Sequence, residues 1–265
     1  IPAFYCDWFF HRLKVGYSAW TNPFNGVKMY VSYAKTRFIV FWSKNPRPLL
    51  EHIDELKARG IGCYVQYSLN DYEEEKLERG VPPLAERIET FKKLVDVLGK
   101  GSVIWRFDPL VLTEDITIEK LLNKIENIGD QLKGYTEKLV FSFVDILSYN
   151  KVKNNLKANG ISFVDWTEDK MTEFASRLVA LNKEKGWNYK LATCGERGRY
   201  PGVEPNHCID DELIIKKSFH DKELMNYLKA EIKPMPPRDM FTNTITLPEG
   251  AIILDSNHYA TRGDN

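Results

Sequence analysis

The chain has 265 residues, 43% of them hydrophobic, 12% aromatic and 28% charged, a folded composition with enough length for a buried core, which excludes a disordered chain and a disulfide miniprotein. Lys and Arg total 37, as do Asp and Glu, so the formal net charge is +0; this argues against wrapping nucleic acid by bulk charge and leaves a local basic cleft open. No apolar run approaches the ~20 residues of a membrane span, no signal peptide opens the chain, and the cysteines Cys6, Cys63, Cys194 and Cys208 are too sparse for a disulfide framework, so a reducing cytoplasm is the expected setting.

A first helix is predicted from Phe4 to Val15, stopped by Gly16. Tyr17 to Trp20 read as extended, and Asn22-Pro23-Phe24-Asn25-Gly26 as a turn. Phe38 to Trp42 form an apolar strand whose unbroken hydrophobicity predicts burial on both faces of a parallel sheet. A helix from Pro48 to Arg59 and a strand from Cys63 to Tyr67 follow, and the acidic run Asp71 to Glu75 reads as a solvated crossing.

Pro82-Pro83 open a helix with the stripe Ile88, Phe91, Val95 and Leu98, and Val103 to Phe107 form the next strand, ending at Asp108-Pro109. Thr117 caps a helix running to Leu132; strand Lys138 to Val144 leads into Asp145, and a short helix spans Tyr149 to Ala158. Thr167 caps a helix to Lys185, and strand Asn188 to Thr193 ends at Cys194. One helical stretch is predicted from Asp210 to Ala230, a linker over Pro234 to Pro237, and a short strand pair within Thr246 to Asp255.

Strands and helices alternate, about six to eight strands recur at even spacing, and no glycine-rich phosphate loop follows any of them. The expected fold is α/β, a TIM-like (β/α) barrel, complete or partial, with an open doubly wound sheet as the rival. Residues 1–232 read as the barrel and 233–265 as an extension or linker. In either architecture functional groups gather at the carboxyl ends of the strands. Those ends carry Lys44 and Asn45, Gln66, Arg106 and Asp108, Ser142 and Asp145, then Cys194 and Glu196. Such a set reads either as a salt-bridge ring closing the barrel mouth or as a substrate or cofactor cleft, and the set as a whole favours a cleft. The loop from Cys194 to Cys208, which also holds His207, is able to bring two thiols to the mouth, its basic Arg197 and Arg199 would favour their thiolates, and soft thiolates suit zinc or iron–sulfur. Free thiols remain the simpler reading, and no other histidine has metal spacing.

Several pieces resemble the bacterial family called domain of unknown function 1848. They are Ile1-Pro2-Ala3-Phe4-Tyr5, Phe41-Trp42-Ser43-Lys44-Asn45-Pro46, Trp105-Arg106-Phe107-Asp108-Pro109, Ser142-Phe143-Val144-Asp145, Thr193-Cys194-Gly195-Glu196 and His207-Cys208-Ile209-Asp210. They stand in the family's order over residues 1–215. Members usually continue into a cysteine-rich tail whose Cys-x-x-x-Cys-x-x-Cys pattern is the one radical S-adenosylmethionine enzymes use for a [4Fe–4S] cluster. The resemblance therefore implies a rearranged relative of those barrel enzymes. No cysteine follows Cys208, so the cluster is either lost or held by a tail beyond these residues; the abrupt ends predict the tail. With it, Cys194 and Cys208 would be metal ligands.

The leading expectation is a radical S-adenosylmethionine-like iron–sulfur enzyme of unknown substrate. Arg106, Asp108, Asp145 and Glu196 would be the catalytic residues, and Lys44, Asn45, Gln66 and Ser142 would hold the [4Fe–4S]-bound S-adenosylmethionine or the substrate. The alternatives are a metal-dependent hydrolase or lyase using Asp108, Asp145 and Glu196 as acid, base or ligands, and a binding module without chemistry. A small-molecule cofactor is the expected partner; nucleic acid remains open and a membrane is not expected.

Overall fold

The first helix, α1 (Cys6–Val15), closes where Gly16 takes a φ of 92° and donates to the Arg12 carbonyl. In this computed structural model, which describes residues 1–194, 200–240, 242, 244–254 and 257–262, β1 (Tyr17–Thr21) and β2 (Lys28–Ser32) follow as an antiparallel ribbon. The chain continues through β3 (Phe38–Ser43), a 3-10 turn over Arg47–Glu51, α2 (Ile53–Ala58), β4 (Gly62–Ser68) and α3 (Leu84–Leu98). Next come β5 (Val103–Leu110), β6 (Leu112–Thr113), α4 (Ile118–Leu132), β7 (Lys138–Phe143), α5 (Asn150–Ala158), β8 (Phe163–Val164), α6 (Glu168–Glu184) and β9 (Lys190–Thr193). The remainder holds β10 (Glu204–Pro205), α7 (Asp211–Ser218), α8 (Lys222–Tyr227), β11 (Ala230–Pro234), β12 (Ile252–Ile253) and β13 (His258–Arg262). Among the described residues no helix is long and apolar enough to cross a membrane.

Six strands pair in parallel in the order β3-β4-β5-β7-β9-β10. Spatial order follows chain order, so the sheet winds in one direction, as a (β/α) barrel does, and has no reversal of the doubly wound kind. Among the described residues β3 and β10 remain its two edges. The fold is α/β with a barrel-like core that these residues do not close.

Alternate residues of a strand face opposite sides, and the two sides are treated differently here. Val65, Tyr67, Val103, Trp105, Phe107, Leu139 and Phe141 pack in one cluster with Phe91 and Leu94 of α3, Leu121 and Ile125 of α4, and Phe174 and Leu178 of α6. The other, inner side carries Tyr64, Ile104, Val140 and Ala192. These are sealed by Ile214 and Ile215 of α7, Leu224 and Met225 of α8, and Ala260 of β13. Thr117 and Thr167 cap α4 and α6 as predicted, their hydroxyls accepting from Lys120 N at 3.2 Å and Lys170 N at 3.4 Å.

Four local expectations are corrected. Strand β3 is not buried on both faces: only Phe41 is fully buried, because β3 is an edge and its Trp42 side chain is 45% exposed. The helix predicted from Asp210 to Ala230 breaks in two, since the Asp221 carboxylate accepts from Leu224 N at 3.1 Å and starts α8 anew. The run Asp71 to Glu75 is not simply solvated; Lys124 lies 3.8 Å from Asp71 and 3.3 Å from Glu75, and Lys120 lies 2.7 Å from Glu75. The strand pair predicted within 246–255 is instead one strand, β12, pairing with β13, which also pairs with β11. The ribbon strand β2 was not anticipated. The boundary read at 232 falls inside β11.

Gly129 of α4 marks the tightest helix contact that a mutation can probe. A Cβ there would lie 2.6 Å from the Trp187 ring, which is buried and held by Asp130 at 2.8 Å. Alanine gains up to ~1 kcal/mol of helix propensity, but overpacking a tethered ring costs ~1–3 kcal/mol. Gly129→Ala is therefore expected to lower stability by about 1–2 kcal/mol, read as a lower urea midpoint at unchanged slope. A midpoint at or above that of the parent protein would mean that Trp187 yields freely.

Candidate functional site

Above the apolar seal the inner face turns polar. Gln66 and Ser68 alternate along β4, Arg106 and Asp108 along β5, Ser142 lies in the last two residues of β7, and Cys194 follows β9. Parallel register sets Ser68 beside Arg106 and Trp42 beside Gln66. The register between β5 and β7 shifts between Phe107 and Leu110, where Asp108 turns its carboxylate back toward Arg106.

Arg106 is 1% exposed and is the centre of the cluster. Its Nη1 donates to Gln66 Oε1 at 2.7 Å. Its Nε and Nη2 donate to Asp108 Oδ2 at 3.1 and 2.7 Å, and Nη2 also reaches Cys194 Sγ at 3.2 Å. The guanidinium carbon lies 4.1 Å from the centroid of the Trp42 ring, whose Nε1 donates to Ser68 Oγ at 3.0 Å. Ser142 Oγ donates to the other Asp108 oxygen. A buried guanidinium demands such a full shell, because leaving its charge unpaired costs several kcal/mol.

A second layer holds Asp108 by its backbone. Asn70 Oδ1 accepts from Asp108 N at 2.8 Å, and Asn70 Nδ2 donates to the Asp108 carbonyl at 3.0 Å and to Glu78 Oε1 at 2.8 Å. Lys44 pairs with Glu78, and the buried Arg87 donates to the Asn70 carbonyl at 2.8 Å. Tyr64, below the cluster, accepts from Asp210 N at 2.9 Å, and burial pushes its phenol up to about 12.

The structure thus brings together Gln66, Arg106, Asp108, Ser142 and Cys194, with Lys44 linked to them through Glu78 and then Asn70. Cys208 joins through its backbone, its carbonyl accepting from Gln66 Nε2 at 2.6 Å. Asn45 is a turn residue, its Oδ1 accepting from Arg47 N at 3.3 Å. Asp145 sits exposed beyond β7, and hydrogen bonds from Ser148 hold its carboxyl below the usual range; no contact among the described residues ties it to Arg106. Glu196, with Arg197 and Arg199, lies outside the described residues. Sequence reasoning had passed over Ser68, Asn70 and Asn206, which donates to Cys194 Sγ at 3.5 Å. The signal was present for two of them: Gln66, Ser68 and Asn70 are polar at every second position, alternating with Tyr67 and Leu69.

A [4Fe–4S] cluster takes its irons on cysteine thiolates, usually four. Among the described residues no group of three or more His, Cys, Asp or Glu is gathered for a metal. Cys194 supplies one thiol at the inner face, and Cys208, whose carbonyl binds Gln66, is the other cysteine near it. Cys6 packs among the α1 core residues, and Cys63 lies on the opposite side of β4. The residues described do not by themselves make a cluster site. A separate cleft of about 270 Å³ opens at the other end of the sheet, beside Val103, Lys138 and Lys190 at the starts of β5, β7 and β9. It contains none of the residues predicted for the site, and its Lys138 and Asp210 neutralise each other at 3.0 Å.

Thiol chemistry separates the cysteines. Burial pushes Cys6 and Cys63 up to about 11, whereas Cys208 is exposed. A raised thiol pKa means that the folded state holds the proton more firmly, so this contribution to stability is lost as pH climbs through that raised range. Iodoacetamide at about pH 8 is expected to alkylate Cys208 first and to spare Cys6 and Cys63 until the chain unfolds. Peptide mass mapping over time checks this; labelling of Cys63 as fast as Cys208 would refute it.

No curated protein and no solved structure matches the chain. The family model described as Domain of unknown function (DUF1848) matches residues 1–237, nearly the whole chain. With Arg106, Asp108 and Cys194 of that resemblance joined in one cluster and the family model matched over most of its length, the chain belongs to the DUF1848 family.

Proposed function

We propose that the protein is an enzyme whose active site is the polar upper half of the inner sheet face, over Trp42, Arg106 and Cys194. The observation that carries this reading is the buried Arg106 cluster at the carboxyl ends of parallel strands. A buried ion pair is commonly no more stabilising than well-packed apolar residues of the same volume, so the cluster is poorly explained by stability alone. The lower half of the same face shows the alternative, sealed with Ile, Leu and Met side chains. The half-exposed Trp42 ring supplies a flat apolar platform, and Ser142 and Cys194, both only part-buried, supply polar atoms beside it.

For the reaction class we carry the family resemblance: iron–sulfur, S-adenosylmethionine-dependent radical chemistry on a substrate still to be identified. Such a cofactor would supply one-electron cleavage to a carbon radical, and its cluster needs thiolates beyond the two placed here. The residues of this chain have simpler tasks. Gln66 and Asp108 fix the Arg106 plane, Arg106 stacks on Trp42 and donates to Cys194, and Asn70 holds the Asp108 backbone in register. Asp108, with both oxygens engaged by Arg106 and Ser142, is a positioning group and not a free general base.

The test is anaerobic purification and reconstitution of the full-length natural protein, followed by iron and sulfide analysis and an assay for reductive cleavage of S-adenosylmethionine. The expected result is a reducible cluster and cleavage, with Trp42→Ala weakening S-adenosylmethionine binding while the iron content holds. A full-length protein that takes up no iron or sulfide would end the radical reading. Retained binding in Trp42→Ala would instead move the site away from this face.

A further inference from the structure

Residues 8–50 contain no Asp or Glu, yet they hold Arg12, Lys14, Lys28, Lys35, Arg37, Lys44 and Arg47. In a chain of zero net charge this is a strong local segregation. Arg37 pairs with Asp221 at 3.0 Å, Lys44 with Glu78 and Arg47 with Glu86 at 3.4 Å. Arg12, Lys14, Lys28 and Lys35 make no ion pair with any described residue. Lys28 lies in the β1–β2 ribbon itself and the other three flank it.

Register places Tyr17, Ala19 and Thr21 opposite Ser32, Tyr30 and Lys28, so these six side chains share one face. On it the Arg12 guanidinium lies 4.8 Å from the Tyr17 ring centroid, the Tyr17 and Tyr30 rings are 6.1 Å apart, and Lys28 Nζ lies 5.5 Å from the Tyr30 ring. The row therefore runs cation, ring, ring, cation. Tyr17 and Tyr30 remain 45% and 64% exposed. The tip is fixed: Asn22 and Asn25 side chains accept from Phe24 N and Val27 N at 2.9 and 3.0 Å, and Phe24 projects 97% exposed.

We infer that this ribbon binds single-stranded nucleic acid, bases stacking on Tyr17 and Tyr30 and phosphates lying beside Arg12 and Lys28. Exposed rings flanked by cations are the means by which proteins hold unpaired strands without reading sequence, since every base has a π-face and every nucleotide a phosphate. A second copy is a poor occupant: a two-fold contact would bring the unpaired cations of both ribbons together. An anionic membrane fits the charge and the exposed Phe24 at the tip but leaves the Tyr17–Tyr30 row unexplained, because those two rings stand along the ribbon face beside cations. The inference is independent of the enzymatic reading.

The test is fluorescence anisotropy of the full chain with labelled oligouridylate and oligothymidylate of about fifteen nucleotides, against a duplex of equal length. Single strands are expected to bind better than the duplex, with affinity falling steeply as salt rises. Each ring lost in Tyr17→Ala or Tyr30→Ala should weaken binding by about tenfold, whereas Tyr17→Phe and Tyr30→Phe should preserve it. Lys28→Glu should weaken binding and flatten the salt dependence. Circular dichroism and melting of each variant separate lost binding from lost folding. No single-strand binding at low salt, equal affinity in the alanine variants, preference for phosphatidylserine vesicles, or a dimer that the alanine variants abolish would each overturn the proposal.

Discussion

A guanidinium taken out of water in the middle of a sheet has to be met on every side, and the upper half of this fold is arranged around that requirement. The groups that meet Arg106 come from four strands or their ends: Trp42 from β3, Gln66 from β4, Asp108 from β5 itself, and Cys194 from the end of β9. A slip of one residue in any of these strands would turn its contribution to the opposite side. The cluster therefore fixes register across the sheet as firmly as the apolar packing behind it. Asn70 extends the constraint past the end of β4, because it clamps the Asp108 backbone through both its amide nitrogen and its oxygen.

The parts of the fold legible in the sequence are those settled by local signals. Thr117 and Thr167 stand at helix starts, Gly16 at a helix end, and the stripe Ile88, Phe91 and Val95 at helical spacing. The clustering of Gln66, Arg106, Asp108, Ser142 and Cys194 followed from one general rule, that parallel strands deliver their carboxyl ends to one side. What the sequence left illegible depends on partners distant in the chain. β11 finds β13 across more than twenty residues, and neither segment carries a pattern that announces the other. The acidic run looked solvated because the lysines that neutralise it, Lys120 and Lys124, belong to α4. Trp42 read as core because its strand is apolar throughout; only its place at the sheet edge, with Arg106 on its ring, shows that it is half open.

The C-terminal segment gives the inner face its asymmetry. α7, α8 and β13 cover Tyr64, Ile104, Val140 and Ala192 and stop below Gln66 and Arg106. In a closed barrel the strands themselves would enclose this space. Among the described residues the sheet runs from β3 to β10, and helices from later in the chain do part of that work. The seal also reaches the polar layer: Asp210, which caps α7 through Leu213 N at 3.0 Å, donates its own N–H to Tyr64, and Gln66 binds the Cys208 carbonyl just before it. The loop bearing Cys208 is thus tied to the floor of the candidate site from two sides.

Net charge conceals how this molecule distributes its charges. The acids of 71–78 are spent on Lys44, Lys120 and Lys124, and Asp221 and Glu223 on Arg37. Each of these pairs joins segments far apart in the chain and helps fasten a loop or helix to the sheet. Among the described residues the ribbon receives no such partner, and Arg12 beside it and Lys28 within it lie against tyrosine rings instead. A cation over an exposed ring gains ~0.5–1 kcal/mol, about what a surface ion pair gives, but unlike an ion pair it leaves the positive charge uncompensated. Balance in the whole chain therefore coexists with a basic, aromatic edge, and the bulk argument against an anionic partner does not extend to that edge.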